Sequence, residues 1–387
     1  MAEKLKTTEI EEALNPERQL RAKEYAQISR RLFALDLVLG AVYVLLWILA
    51  GWSPWLRDQV HQLTTATWLS VPLFAAGFGL PYFILTAPLT YYSGFVLPHR
   101  YGQSNQTLKA WLWDQLKGLL ITGILGLIIL EVIYALLGAF PQTWWLWTAL
   151  VMLVFTVLLS NLAPVLIFPL FYKYKPLDDE DLVSRLTHLA TKAGARVQGV
   201  YVFDMSSKTV AANAALMGLG NTRRIVLADT LVERFTANEI ETVLAHELGH
   251  HVHKDLPLGI IVQSLLTLIG FWLADLVMRW GVTTFAYISL TDPATLPLLM
   301  VALSIFGLVT MPLSNSWSRW REVKADEYAL KMTGKPRAFI SAMTRLANQN
   351  LAEAEPPVWV EFLLHSHPSI NKRVAKAKSF SLSRSNF

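Results

Sequence analysis

The sequence predicts a predominantly α-helical multi-pass membrane protein with a small cytoplasmic α/β domain. Hydrophobic residues make up 53% of the 387 residues and charged residues only 16%, a balance that is not typical of soluble globular proteins. Six stretches are long and apolar enough to cross a bilayer, which takes about 20 mostly apolar residues. Between the fourth and fifth stretches, the chain instead combines a helical pattern with short runs rich in Val, Ile and Tyr, which are typical of strands.

The six predicted spans divide the chain, and they cover residues 32–52, 69–97, 118–139, 144–172, 257–279 and 296–316. The second and fourth spans are longer than a bilayer requires, and their prolines predict kinks or partial re-entry: Pro72, Pro81, Pro88, Pro164 and Pro169. Five parts are predicted. Residues 1–31 form a cytoplasmic N-terminal tail, and residues 32–172 form an N-terminal membrane domain of about four helices. Residues 173–256 form a first cytoplasmic, catalytic part, residues 257–316 a pair of membrane helices, and residues 317–387 a C-terminal catalytic part.

Basic residues orient these spans. On the opposite side of the membrane from the N-terminus, the loops carry mainly Arg57 and Arg279. The segment before the first span is richer in basic residues, namely Lys4, Lys6, Arg18, Arg21, Lys23, Arg30 and Arg31. The positive-inside rule therefore predicts a cytoplasmic N-terminus. With six spans, residues 173–256 and the tail after residue 316 are cytoplasmic as well. The first 31 residues are charged and lack an apolar core, so no cleavable signal peptide is expected.

The first cytoplasmic part predicts a small α/β unit. Residues 180–194 have a helical pattern, and residues 197–203 and 224–228 have the composition of strands. Residues 213–217 predict a further strand, which turns at residues 218–221.

The most informative motif is His246-Glu247-Leu248-Gly249-His250. Histidines four residues apart share one face of a helix, so both imidazoles can bind one metal ion. Zinc suits this set, because it accepts imidazole nitrogens and a carboxylate and leaves one position open. Glu247 is then close enough to take a proton from an attacking water. The motif predicts a zinc hydrolase, in particular a peptidase; a surface helix with two solvated histidines is the alternative.

A helix over roughly residues 236–253 is predicted around this motif. Thr236 and Glu239 form a Thr-x-x-Glu capping box, and Phe235 and Ile240 form a hydrophobic staple across the helix start. Apolar residues then recur at helical spacing, namely Ile240, Val243, Leu244 and Leu248. The context of the motif is therefore the helix that its metal chemistry requires.

A third metal ligand has to come from elsewhere in the chain. An extended pattern would place a third histidine six residues after His250, but that position is Leu256. Glu322 and Asp326 are four residues apart and share a helix face, so one could bind the metal while the other orients a ligand histidine. Glu327 is a third acid next to this pair, so spacing alone does not choose the ligand. The alternative to a metal-binding role is an ordinary charged helix.

These acids belong to a second motif, which has the form Ser-Arg-x-x-Glu-x-x-Ala-Asp and consists of Ser318, Arg319, Glu322, Ala325 and Asp326. In this order the two motifs resemble the type I CAAX prenyl endopeptidases, membrane-embedded zinc peptidases that also include bacterial heat-shock membrane proteases. The resemblance implies that Glu322 is the third zinc ligand and that Asp326 is its second-sphere partner. It also implies that the α/β domain is a zinc-metallopeptidase domain of the gluzincin type.

Three further stretches match the family in the family's order, so that the resemblance covers roughly residues 85–375. The first lies in the N-terminal membrane domain. The second is a strand pair that begins at Asn213 and Ala214, to which the resemblance assigns binding of an extended substrate. The third contains His367 and Arg373, which become candidate donors to the oxyanion of the reaction. A strand-end role for Asn213, and a structural salt link or helix start for the other two, are the alternatives. Family members often carry a histidine where this chain has Ala211.

Together these features predict an integral-membrane zinc metalloendopeptidase that binds one Zn²⁺ per chain. Its substrate is expected to be a peptide or protein at the lipid bilayer, either a prenylated C-terminal tail or a damaged or misassembled membrane protein. The compact loops favour a prokaryotic member of the family, and hence a substrate without a prenyl group. The expected location is the bacterial plasma membrane, with the endoplasmic reticulum as the alternative.

Two other function classes stay in view. A metal transporter would place its metal ligands inside the spans, whereas here they precede the fifth span and follow the sixth. A catalytically dead scaffold would not need Glu247, which binds no metal. The absence of cysteine excludes disulfides and thiolate zinc sites, and no basic-aromatic pattern predicts binding of nucleic acid.

Overall fold

The computed structural model describes residues 13–218, 223–285 and 287–385. Lys4 and Lys6, and residues 219–221 of the predicted turn, lie outside this range. Within it, six helical segments are long and apolar enough to cross a membrane, which confirms the predicted multi-pass fold class. The helices of the membrane part are α1 Pro16–Leu49, α2 Trp52–Leu63, α3 Thr67–Tyr91, α4 Leu97–Arg100, α5 Leu108–Ala139, α6 Trp144–Leu162, α10 Asp255–Thr284 and α11 Leu296–Thr333.

Each predicted span coincides with one of these helical segments, but two helices continue far beyond the apolar stretch. Helix α1 begins at Pro16, so the predicted boundary at residue 31 falls inside it. Helix α11 continues from the sixth span to Thr333 without a break. Its C-terminal turns therefore carry Glu322 and Asp326 beyond the apolar stretch toward the sheet. The division of the chain into five parts stays a prediction.

Three of the prolines coincide with distortions of the membrane helices. A π-helical turn, Tyr92–Val96, follows Pro88, and a second one, Ala163–Ile167, contains Pro164 and leads into a 3₁₀ turn at Pro169. Proline lacks a backbone donor and its ring clashes with the preceding turn, so the helix changes its hydrogen-bonding pattern there. The other two prolines lie within α3 and do not end it.

The membrane helices pack around aromatic side chains and a few paired charges. Trp144 is fully buried, and its indole N–H donates to Asp275 at 2.6 Å. Asp275 also accepts a hydrogen bond from Arg279 at 2.8 Å. In the loop before α11, buried Asp292 pairs with Arg57 of α2 at 2.9 Å. These pairs allow charged groups to lie among membrane helices, where an unpaired charge would be costly.

The remaining elements form the small α/β domain around one four-stranded sheet. They are β1 Tyr174–Pro176, α7 Glu180–Lys192, β2 Val200–Phe203, β3 Ala214–Met217, β4 Arg224–Ala228, α8 Asp229–Arg234, α9 Ala237–Val252, α12 Pro336–Gln349, α13 Val358–Leu364 and α14 Ile370–Ser385. The predicted helix at 180–194 and all three predicted strands are present, and β1 is an addition to the prediction.

The strand order in the sheet is β1-β2-β4-β3. β2 and β4 are parallel, whereas β1 and β3 are antiparallel to their neighbours. β3 is therefore an edge strand, with Ala214 opposite Leu227 of β4. Buried apolar residues of α7, α9 and α12 form a single core with the strands, among them Leu186, Leu244 and Phe339. This core fixes α9 against the sheet.

Helix α9 also packs closely against the C-terminal half of α11, and Gly249 is the residue that permits this approach. A Cβ atom at position 249 would lie 2.9 Å from Cα of Ala325 and 3.1 Å from its carbonyl oxygen. Backbone atoms cannot move aside as a flexible side chain can. The absence of a side chain at Gly249 thus sets the distance between the helix of the His-Glu motif and the helix that carries Glu322.

We expect Gly249→Ala to destabilise the protein by about 1–3 kcal/mol, the usual cost of overpacking, and to lower its metal content. The added methyl group would separate α9 from α11 at the level of the candidate ligands. Thermal unfolding and metal analysis of the purified variant would measure both effects. Gly259→Ala in α10 is the matched control, because a Cβ there would meet no other described element within 4 Å. Equal unfolding temperatures for the parent and Gly249→Ala would contradict the close-contact explanation.

Candidate metal centre

Helix α9, which carries the His-Glu motif, begins at the predicted capping box. The Thr236 hydroxyl accepts a hydrogen bond from the backbone N–H of Glu239, and the Glu239 carboxylate accepts one from the backbone N–H of Thr236. Both halves of the predicted capping box are thus present. Phe235 and Ile240, the predicted staple pair, are both buried. The helix runs to Val252, close to the predicted end.

Three side chains of α9 and α11 bring ligand atoms together. Nε2 of His246 lies 3.2 Å from Nε2 of His250. The carboxylate of Glu322 faces both rings, with Oε2 3.2 Å from Nε2 of His246 and Oε1 3.3 Å from Nε2 of His250. His246 and Glu322 are 7% and 6% exposed, so these two side chains are buried.

Each histidine is held from behind through its other ring nitrogen. Nδ1 of His246 lies 2.8 Å from Oδ1 of Asp326, and Nδ1 of His250 lies 2.7 Å from Oδ2 of Asp255. Carboxylates bound at Nδ1 favour the tautomer that leaves Nε2 free for a metal. Asp326 fits the position that the resemblance implied. Asp255 was not predicted, although an acid at the start of the next helix, five residues after His250, could have suggested it.

Arg373 lies on the far side of this arrangement. Its Nε and Nη2 donate to the two oxygens of Asp326 at 2.8 and 2.6 Å. The guanidinium therefore sits next to Nδ1 of His246, away from the ligand atoms that face Glu322. This geometry favours a positioning role for Arg373 over the predicted contact with an oxyanion, because two of its three nitrogens donate to the carboxylate behind His246.

His367 lies on the open side of the group. Its Nδ1 is 2.9 Å from Oε2 of Glu322, and its side chain is 61% exposed. Arg319 of the second motif supports this segment by donating to the carbonyl oxygens of Glu361 and His365 at 2.8 and 2.6 Å. These bonds tie the end of α13 to α11, and the His-Pro segment that follows lies beside Glu322.

Asn213 immediately precedes the edge strand. Its side-chain oxygen accepts a hydrogen bond from the backbone N–H of Ala214 at 2.8 Å, and its backbone oxygen accepts one from Ala228 at 2.9 Å. The side chain is exposed. The strand that begins at Ala214 contacts α9, so the predicted substrate strand and the His-Glu motif are neighbours in the fold.

Burial and hydrogen bonding set the protonation of the site. Burial lowers the pKa of His246, but its hydrogen bonds to Asp326 and Glu322 outweigh burial and raise that pKa to about 9. A metal requires the neutral imidazole, so metal binding at neutral pH releases a proton from this ring. Burial raises the pKa of Glu247, which brings its carboxyl group closer to the range in which a general base operates.

The three side chains fit a metal ion in number, chemistry and spacing. His246, His250 and Glu322 each offer one ligand atom, and these atoms all lie within 4.8 Å of one another. A tetrahedral ion with bonds of about 2.0–2.1 Å has its ligand atoms about 3.3 Å apart. Oε2 of Glu322 is buried and faces two ring nitrogens, Nε2 of His246 at 3.2 Å and Nδ1 of His367 at 2.9 Å. The group can hold a divalent metal.

Comparison with known proteins agrees with this geometry. The sequence model of peptidase family M48 matches residues 176–381, which include α9, the second motif and the His-Pro segment. This chain belongs to peptidase family M48. A second family model, described as the N-terminal part of CAAX prenyl proteases with five membrane helices, matches residues 2–173. Among the described residues of that range, four segments are long enough to span a membrane, and the short helix α2 lies between the first two.

Relatives of this M48 peptidase cover most of its length. It is 30% identical over 382 residues to an uncharacterized metalloprotease of Bacillus subtilis, YhfN, with 97% of this chain and 89% of that protein covered. It is 31% identical over 311 residues to CAAX prenyl protease 1 of Saccharomyces cerevisiae, with 75% and 68% covered. The crystal structure of S. mikatae Ste24p has the same fold, with a TM-score of 0.86, 24% identity, and 96% and 92% of the two chains covered.

Family membership and the six apolar helices identify the protein as a multi-pass integral-membrane metalloprotease. A metal cofactor and a peptide or protein substrate follow from the family. The transporter alternative loses its support, because models of peptidase families match residues 2–173 and 176–381.

Proposed function

We propose that this metalloprotease is a zinc endopeptidase whose active site consists of Glu247 and the three ligands His246, His250 and Glu322. The observation that carries the proposal is the arrangement of three side chains. Nε2 of His246 and Nε2 of His250 lie 3.2 Å apart on the helix that also carries Glu247, and the Glu322 carboxylate on α11 faces both, with Oε2 3.2 Å from the first and Oε1 3.3 Å from the second. Two imidazoles and one carboxylate are the donor set of hydrolytic zinc sites, and this spacing matches tetrahedral zinc. When bound, zinc polarises the scissile carbonyl and makes water a stronger nucleophile at neutral pH.

The protein's own residues supply the proton transfers and the alignment. Glu247 binds no metal and is free to accept a proton from the attacking water and to pass it to the departing amine. Asp326 holds the His246 ring, and Arg373 holds Asp326. His367 stays the candidate donor to the oxyanion, because its exposed ring stands beside Glu322 on the open side of the site.

An extended substrate is proposed to bind along β3. The strand lies at the edge of the sheet and contacts α9, so a peptide added to that edge would run past the candidate ligands. Asn213 stands at the start of the strand with an exposed side chain, which suits a hydrogen bond to substrate. Ala214, the first residue of β3, would contribute through its backbone.

The proposed orientation places the active site on the cytoplasmic side. The basic residues before the apolar stretch of α1 and the even number of spans both support it. The bacterial plasma membrane is the proposed location, supported by the similarity to the Bacillus subtilis relative over nearly the whole chain.

An apolar cavity beside the metal centre suggests what kind of substrate is cleaved. It has a volume of about 650 Å³, and it lies between α1, α11 and the His-Pro segment. Phe33, Met311, Leu364 and Ile370 line it, and His367 forms part of its wall. We therefore propose a membrane-associated protein substrate that places an apolar group, either a lipid chain or apolar side chains, in this cavity.

Cleavage of matched peptides tests this proposal. The purified, zinc-loaded protein in lipid nanodiscs would receive one C-terminal tail peptide in farnesylated and unmodified form. We expect cleavage of both, with a lower KM for the farnesylated peptide, because each buried CH₂ group adds about 0.8 kcal/mol of binding. Equal KM values would remove the cavity from the substrate site. A zinc-loaded protein that cleaves neither these peptides nor an unfolded membrane protein would contradict the endopeptidase proposal.

A further inference from the structure

We infer that Asp255 positions His250 for metal binding, and that Arg321 and the sharp turn between α9 and α10 hold Asp255 in place. This inference rests on the proposed metal centre and adds a second acid–arginine pair to it. The first pair, Asp326 with Arg373, stands behind His246.

The contact between Asp255 and His250 determines which ring nitrogen is available. Oδ2 of Asp255 lies 2.7 Å from Nδ1 of His250, while Nε2 of the same ring points at Nε2 of His246 and at Oε1 of Glu322. A carboxylate at Nδ1 fixes the proton there and leaves the lone pair of Nε2 for the metal. The Asp255 side chain is 13% exposed, so water competes little for this bond.

Arg321 holds the other oxygen of Asp255. Its Nη2 forms an ion pair with Oδ1 of Asp255 and donates to the carbonyl oxygen of His253 at 2.7 Å. The Arg321 side chain is 9% exposed, and its guanidinium lies 5.2 Å from the ring centroid of Trp320. Arg321 immediately precedes Glu322 in α11. Its buried guanidinium therefore connects the helix that carries Glu322 to Asp255, the acid behind His250.

The turn that places Asp255 uses an unfavourable backbone conformation. Helix α9 ends at Val252, helix α10 begins at Asp255, and Lys254 between them has φ 55° and ψ 41°. Lys254 is one of two residues other than glycine with a positive φ in the described part of the chain. Residues other than glycine rarely adopt this left-handed backbone conformation unless the surrounding contacts require it. Here it turns the chain back at once, so that the first residue of α10 reaches His250.

A simpler explanation is that Asp255 is only an acid at a helix start, where it stabilises the N-terminal end of α10. That explanation predicts an effect on helix stability and none on the metal. The two roles therefore separate in measurements of the metal itself.

The test is Asp255→Asn, which keeps the shape of the side chain and removes its charge. We expect metal affinity, measured by competition with a chromogenic chelator, to fall about 10- to 100-fold, the usual effect of losing such a partner. The visible absorption bands of the cobalt-substituted protein should shift, because they report the coordination of the ion. Asp181→Asn is the matched control, since Asp181 also lies in the first turn of a helix but is 81% exposed and far from the ligands in the sequence.

If the folded Asp255→Asn protein has the same metal affinity and the same cobalt absorption bands as the parent, the inference is overturned. If that variant does not fold, Arg321→Lys decides, because lysine keeps the charge but its shorter side chain ends before the position of Nη2, the atom that contacts both Asp255 and the carbonyl of His253. Weaker metal binding in Arg321→Lys supports the inference, and unchanged binding overturns it. Glu322→Ala distinguishes failure of this inference from failure of the proposed metal centre. If Glu322→Ala keeps its metal, the metal centre itself is refuted. If Glu322→Ala loses its metal while Asp255→Asn binds metal like the parent, only the role of Asp255 is refuted.

Discussion

Replacing Glu247 with Gln is expected to lower peptide cleavage by about 10²- to 10⁴-fold, the usual contribution of general acid–base catalysis, while leaving the metal in place. Glutamine has the shape of glutamate but cannot accept the proton of the attacking water. Glu247 is not one of the three grouped ligands, so metal binding does not depend on it. Rates measured with one peptide at saturating and low concentrations should show the loss mainly in kcat, because substrate contacts along β3 are unchanged.

The control for this experiment is Glu233→Gln, an exposed position in α8 shortly before the same helix. It should cleave at the parent's rate with the parent's metal content. If Glu247→Gln cleaved as fast as the parent, another residue would have to be the base, and the proposed mechanism would be wrong. If Glu247→Gln also lost its metal, the separation between base and ligands would fail.

The second large effect is expected for Glu322→Ala, which should reduce metal content from about one ion per chain to near zero after dialysis. The substitution removes the carboxylate that faces both imidazole nitrogens, with oxygens 3.2 and 3.3 Å from them. Two neutral imidazoles alone bind a divalent ion weakly. Cleavage should disappear with the metal, and excess zinc should restore little of it, because the missing ligand also sets the geometry of the open position.

Glu327→Ala is the matched control, because it lies on the same helix within two turns of Glu322. Its side chain is 45% exposed and pairs with Lys376 instead of facing the histidines. Elemental analysis of both variants after identical treatment with chelator and zinc would make the comparison. Stoichiometric metal in Glu322→Ala would contradict the ligand set, and loss of metal in Glu327→Ala would point to a general disturbance of α11.

Several features followed from the sequence because they depend on neighbours along the chain. Apolar composition over about 20 residues decides whether a helix can lie in a bilayer, so all six spans were predictable. The capping box at Thr236 and Glu239 and the pair His246 and His250 are contained within a single helix, whose geometry fixes which side chains share a face. Bounds were less predictable: α1 and α11 continue beyond their apolar stretches, where polar side chains pack against other elements.

The choice among the acids depended on contacts between distant parts of the chain. Spacing placed Glu322, Asp326 and Glu327 together without ranking them, and only the resemblance to a family favoured Glu322. In the fold, the close approach of α9 to α11 at Gly249 turns Glu322 toward both imidazoles and Asp326 toward the back of His246. The rotation of one helix against another follows from packing, which no local pattern encodes.

The sequence by itself determined the membrane character of the chain, the helix of the His-Glu motif and the side chains available for metal chemistry. Tertiary structure decided how those side chains are used: Arg373 lies on Asp326 instead of in the open site, and Asp255 stands behind His250 through the turn at Lys254. The physical reason is range. Helix formation, capping and membrane partitioning act over a few turns, whereas the orientation of a ligand requires partners that come together only when the helices pack.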